Sequence, residues 1–113
     1  MQLELEREGG TLTALLIGEL DHHAASDIRR RIDTAVLSCR CNHLRLDLSR
    51  LSFMDSSGIG LIMGRYRLMT SMGGRLPVEN AGDRLERMIR LAGLDRLPVW
   101  NETQERNDAC ETH

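Results

Sequence analysis

The apolar residues of this chain switch back and forth between two periods, and that switching limits the folds open to it more than any other feature. Across residues 1–8, Leu3 and Leu5 face one way and Glu4 and Glu6 the other, the period-two pattern of a half-exposed strand. Gly9-Gly10 supplies a hairpin turn, and the more apolar run 11–18, with Ala14, Leu15, Leu16 and Ile17, reads as its antiparallel partner. Ile28, Ile32, Ala35 and Val36 then fall on one helical stripe within 24–38. Leu44, Leu46 and Leu48 alternate with Arg45 and Asp47, a strand once more. Ile59, Ile62, Met63, Tyr66 and Met69 or Thr70 make a second helical stripe, closed by Gly73-Gly74. Residues 76–79 read as a weaker strand, and Pro77, lacking a ladder donor, places it near an edge or a break. Leu85, Met88, Ile89 and Ala92 form a third stripe ending at Gly93, followed by a short strand over 97–100.

The order is β-β-α-β-α-β-α-β. Strands joined through helices are normally parallel with right-handed crossovers. The fold class is therefore α/β: a single domain over residues 1–100, with a mixed sheet whose first hairpin is antiparallel and whose later strands are parallel. A length of 113 residues suits one domain with its own core. Residues 101–113 are polar and lack apolar periodicity, which predicts a frayed helix or disorder. Loops at the carboxyl ends of parallel strands gather where α/β folds place their ligands. Two polar segments share that end: a loop over 19–23, and Met54 to Ser57.

Composition removes several function classes. Fifteen basic against seventeen acidic residues give a net charge of -2, without the basic excess of a nucleic-acid binder. Aromatic residues are 3%, too few for stacking on single-stranded bases. The longest uncharged run, 9–18, is ten residues, well short of a membrane span. No basic segment followed by an apolar one opens the chain, so no signal peptide is expected. Every basic residue is arginine, which leaves no lysine for Schiff-base chemistry or a lysine-dependent phosphate loop. Cys39 and Cys41 are too close in sequence to meet disulfide geometry readily, and Cys110 makes the count odd. A reduced, cytoplasmic protein is the expectation.

The run Asp55-Ser56-Ser57-Gly58-Ile59-Gly60 carries the main chemical signal. One of its serines is expected to cap the following helix. A helix N-terminus with free N–H groups also favours an anion, bound or placed covalently on serine. Glycines there let a partner approach. The spacing GxGxxxG of Gly58, Gly60 and Gly64 is not a dinucleotide fingerprint, and no carboxylate follows at a strand end about 20 residues on. His22-His23 sit too close in sequence to ligate one ion together, and Cys39, Cys41 and His43 lack the second ligand pair of a zinc site. Ser57 with His22 lacks both a nucleophile elbow and a third orienting group. No catalytic residue, cofactor or metal is predicted.

Taken together, Gly18-Glu19-Leu20-Asp21-His22-His23, Leu51 to Gly60, Gly64-Arg65-Tyr66 and Gly73-Gly74 resemble the STAS domain family, most closely its sporulation anti-sigma factor antagonists. The resemblance spans roughly residues 1–100. It implies a switch rather than an enzyme. The unphosphorylated protein would bind an anti-sigma factor, a serine kinase carrying its nucleotide, and release the sigma factor. Phosphorylation of Ser57 would end that binding, and a serine phosphatase would restore it. Partner-binding residues carried over are Asp21, His22, Asp55, Ser56, Ser57, Gly58 and Gly60, with no nucleic acid or membrane involved. The alternatives are a small nucleotide-binding protein or enzyme using the Ser56–Gly60 loop, and a STAS member of a stress-response sigma pathway. Leu76-Pro77-Val78 and the polar tail depart from the family pattern, away from the switch loop.

Overall fold

The Gly9-Gly10 turn, with Gly9 at φ 61, joins β1 (Gln2–Glu8) to β2 (Thr11–Leu20) as an antiparallel pair. The computed structural model describes residues 1–94, so the expected strand over 97–100 and the polar tail lie outside the described residues. The chain continues through α1 (His22–Cys39), β3 (His43–Met54), α2 (Ser56–Ser71), β4 (Val78–Glu79) and α3 (Asp83–Leu91). The sheet order is β1-β2-β3-β4, with β2, β3 and β4 parallel. This is the mixed α/β sheet that the alternation of periods predicts. Pro77 ends up beside the two-residue β4, where its carbonyl accepts from the Leu46 N–H at 2.9 Å.

One sheet face carries the core. Leu12, Ala14 and Leu16 of β2, Leu44, Leu46 and Leu48 of β3, and Val78 are buried on it. Ile28, Ile32 and Val36 of α1, Ile62 and Met69 of α2, and Leu85 and Ile89 of α3 are buried with them. Each of these side chains larger than alanine contributes roughly 1.5–3 kcal/mol relative to exposure, so this face dominates the stability of the domain.

The structure corrects several expected boundaries. β3 runs past Leu48 to Met54 because its register slips: Leu15 pairs with Asp47 but Ile17 with Arg50, and Gly18 pairs with Leu51 but Glu19 with Phe53. Each slip inserts one extra β3 residue, a bulge, and changes the spacing of buried positions from two to three. The 19–23 loop contracts to Asp21 alone, because β2 extends to Leu20 and α1 begins at His22. In α2 the buried positions are Gly58, Leu61, Ile62, Arg65 and Met69. The helix is therefore rotated from the expected stripe, and Ile59, Met63 and Tyr66 are only partly buried. Cys39 and Cys41, expected as separate reduced thiols, come together with their sulfurs in contact at the end of α1. Arg40 caps α1 at φ 54, which turns the chain back on itself and leaves the two Cα atoms 5.3 Å apart.

Gly74 marks a second close approach. A Cβ there would meet the Asn42 carbonyl, which is held in place by the Arg75 N–H at 3.0 Å. Backbone cannot yield as a side chain does. Gly74→Ala should therefore cost about 1–3 kcal/mol. Gly64, in α2 with nothing within 4 Å of an added Cβ, is the opposite case. Gly64→Ala should gain about 0.5–1 kcal/mol from helix propensity. Urea unfolding of the two variants checks both signs.

Candidate functional site

The two segments singled out in the sequence meet at one end of the sheet, and strand pairing brings them there. Leu20 and Met54 are register partners at the ends of β2 and β3. The next residues, Asp21 and Asp55, therefore stand side by side, and the Asp55 N–H donates to the Leu20 carbonyl at 3.4 Å. Each aspartate leaves its strand in extended backbone and caps a helix. The Asp21 carboxylate accepts from the Ala24 N–H at 3.0 Å, and the Asp55 carboxylate from the Ser57 N–H at 2.8 Å. Two helix N-termini, each a positive dipole end, thus open abreast toward solvent.

The cap of α2 is Asp55, not either of the two serines. A carboxylate reaches the amide two residues on, which leaves the serines as the first two helical residues. Ser56 is exposed and Ser57 half-buried. His22, the first residue of α1, is exposed, and its ring stands edge-on to His23 with centroids 5.5 Å apart. Gly60 is exposed, and an added Cβ would meet nothing within 4 Å. Gly58 is buried, and a Cβ there would run into the Met54 side chain, with Leu20 Cδ2 at 3.2 Å. Its missing side chain serves the packing of α2 on the strand ends.

The Asp21 carboxyl is held below its ordinary value of 3.8, chiefly by the Ala24 N–H; partial desolvation opposes this, and the His23 N–H and charge add to the lowering. An unpredicted feature adjoins the site. A groove of about 790 Å³ opens beside Asp55 and Ser56, between the end of β3 and α3, with Phe53, Leu51, Leu85 and Met88 along it. Phe53 is 43% exposed and Leu91, also on the groove, 83%. In the sequence Phe53 stands as an aromatic residue beside a polar loop, within the Leu51 to Gly60 stretch.

Comparison with known proteins places this geometry. The family model described as STAS domain matches residues 2–107. An anti-sigma F factor antagonist of Paenibacillus polymyxa is 38% identical over 102 residues, covering 89% of this chain and 87% of that protein. An anti-sigma-B factor antagonist of Bacillus subtilis strain 168 is 28% identical over 94 residues, covering 83% and 84%. The anti-sigma factor antagonist SpoIIAA in its unphosphorylated form superposes with a TM-score of 0.71 at 31% identity, covering 96% of this chain and 97% of that one. The Bacillus cell fate determinant SpoIIAA in its phosphorylated form also gives 0.71, at 34% identity with 96% and 99% coverage.

Two outcomes follow from the geometry. A carboxyl whose pKa is depressed on folding stabilises the fold above its unfolded value of about 3.9 and loses that contribution as pH falls through the folded value. A carbon-detected NMR titration should place the Asp21 midpoint below 3.8, and Asp21→Asn should remove that part of the acid-side loss of stability. The neighbouring glycines should respond with opposite signs in thermal melts. Gly60→Ala should gain about 0.5–1 kcal/mol, whereas Gly58→Ala should lose about 1–3 kcal/mol to overpacking.

Proposed function

The chain belongs to the STAS domain family, and from that premise we propose that it is an anti-sigma factor antagonist switched by phosphorylation of Ser57. The observation that carries the reading is the paired arrangement of Asp21 and Asp55. It brings an acidic loop and a serine-bearing helix N-terminus onto one face. A partner that covers one must meet the other. Unphosphorylated, this face would bind an anti-sigma factor that is itself a serine kinase with bound nucleotide, and so free the sigma factor. A serine phosphatase would reverse the modification. The likeness to SpoIIAA, solved in both states, supports the switch, and the higher identity to an anti-sigma F factor antagonist favours a sporulation-type pathway over a stress-response one. Cytoplasmic residence would follow from an ATP-using partner.

The physical logic of the switch lies in the N-cap. The Ser57 N–H is already donated to Asp55. A phosphoryl group on the Ser57 hydroxyl, carrying about -1.5 to -2 charges, would therefore not take that donor and would project toward the partner. The dipole end of α2 tolerates the charge. A partner surface shaped for a neutral hydroxyl beside Asp21 and Asp55 would have to desolvate it without a matching cation, which is costly. An enzyme or nucleotide-binding protein built on the same loop is the competing reading. It predicts turnover or nucleotide binding by the chain alone.

The test uses the Paenibacillus polymyxa anti-sigma F factor with ATP. Intact mass should rise by one phosphate, located by fragmentation on Ser57 and retained in Ser56→Ala. Ser57→Ala should bind without being modified. Ser57→Asp should bind at least about tenfold more weakly, a change of about 1.4 kcal/mol, while its melting stays close to that of the unmodified protein. Asp21→Ala should weaken binding and keep its circular dichroism. A phosphate on Ser56, or normal binding by Ser57→Asp, would overturn the reading.

A further inference from the structure

Among the described residues, Arg65 is the one charged residue that is buried, at 8% exposure, and it sits among the apolar side chains of α2. Its Nε lies 2.9 Å from Oδ1 of Asp33 on α1, a charge contact whose N–H is not aimed well enough to be a hydrogen bond. Its Nη1 is buried with no acceptor. Burial disfavours the charged guanidinium, the Asp33 charge opposes this, and Arg29, also on α1, adds a second positive charge nearby. Such an arrangement is a poor way to gain stability, since apolar residues of similar volume usually serve as well or better.

What the pair supplies is a contact tied to one place on each helix. Ile28, Ile32 and Val36 of α1 and Leu61, Ile62 and Met69 of α2 are interchangeable aliphatic surfaces, and hydrophobic contact is non-directional. Moving one helix along the other by a turn, about 5.4 Å, would meet similar side chains again. A single charge contact would not survive that slide. The pairing of Leu20 with Met54 sets the backbone of the two caps. Beyond the caps, the first turns of α1 and α2 follow their helix axes. Asp33 lies twelve residues beyond Asp21 and Arg65 eight beyond Ser57, about 18 Å and 12 Å along those axes. The pair therefore touches neither loop yet is rigidly connected to both.

We propose that Arg65 is a positioning residue: its buried contact with Asp33 locks α1 against α2 in one register and so sets how His22, Ser57 and Gly60 are presented around the two caps. This rests on the reading of that face as the partner surface.

The experiment compares the wild type with Arg65→Met/Asp33→Leu and with Arg65→Lys. It reads melting temperature, the amide spectrum of the free protein, and affinity for the Paenibacillus polymyxa anti-sigma F factor. The double variant should melt no lower than the wild type. The amides of 22–24 and 56–60 should shift, and binding should weaken about 2- to 30-fold. The penalty of Asp21→Ala should shrink in that background. Arg65→Lys should fall between the two, and it decides the matter if the double variant does not fold. A folded variant with unmoved loop amides, or with moved amides and full affinity, overturns the proposal. If the wild type does not bind the probe, the partner reading fails. The amides then decide alone: shifts in both loops uphold the register lock, and their absence overturns it.

Discussion

The parallel pairing of β2 with β3 is the constraint on which the functional end of this domain depends. Counting five residues on from the Leu15–Asp47 pair without interruption would set Leu20 opposite Ser52. The two bulges absorb two residues of β3, so that Met54 stands there instead. Both strands then end at the same level, each is followed at once by an aspartate, and each aspartate starts a helix. A straight ladder would have left Asp55 three residues beyond the end of β2, with the N-terminus of α2 displaced from that of α1. The irregularity of β3 is thus what makes one continuous face out of two distant segments of chain.

Features set by local periodicity are legible in the order of the amino acids alone. The first hairpin, the three helices and the parallel order follow from residues such as Leu3, Ile28, Leu46 and Ile89, whose burial matches their spacing. Features set by a backbone event are not. The bulges replace a spacing of two with one of three over Leu48, Leu51 and Met54, where no alternation can be read. The left-handed turn at Arg40 brings together two cysteines that spacing alone would separate. The extended exit at Asp55 gives the cap to the aspartate, although serine is an equally good cap by type. Gly58 is legible as a close approach but not as one directed inward, since a glycine carries no sign of which neighbour it admits.

The rotation of α2 shows the same limit in energetic terms. Arg65 falls on the buried face while Tyr66 is only partly covered. Reading by hydrophobicity puts the tyrosine inside and the arginine outside, because burying an unpaired charge is expensive. The charge that faces Arg65, Asp33, comes from a different helix, more than thirty positions away. No window of sequence within α2 contains that partner.

A face built from two capped helix ends suits control by a charged group better than one built from reactive side chains. Within the proposed switch, a phosphate on Ser57 meets two opposing influences inside its own molecule. The N-terminal dipole of α2 favours an anion by about 0.3–1 kcal/mol. A neighbouring carboxylate in water opposes it by about 1 kcal/mol for unit charges at ~4 Å. The two act in opposite directions, so the dipole end offsets part of the repulsion within the domain. No such compensation exists on a partner surface packed against Asp21 and Asp55, where the added charge must be stripped of water. The asymmetry comes from the caps: with the Ser57 amide already engaged by Asp55, the domain has little to gain from drawing the phosphate inward, and its charge stays on the face where a partner would have to meet it.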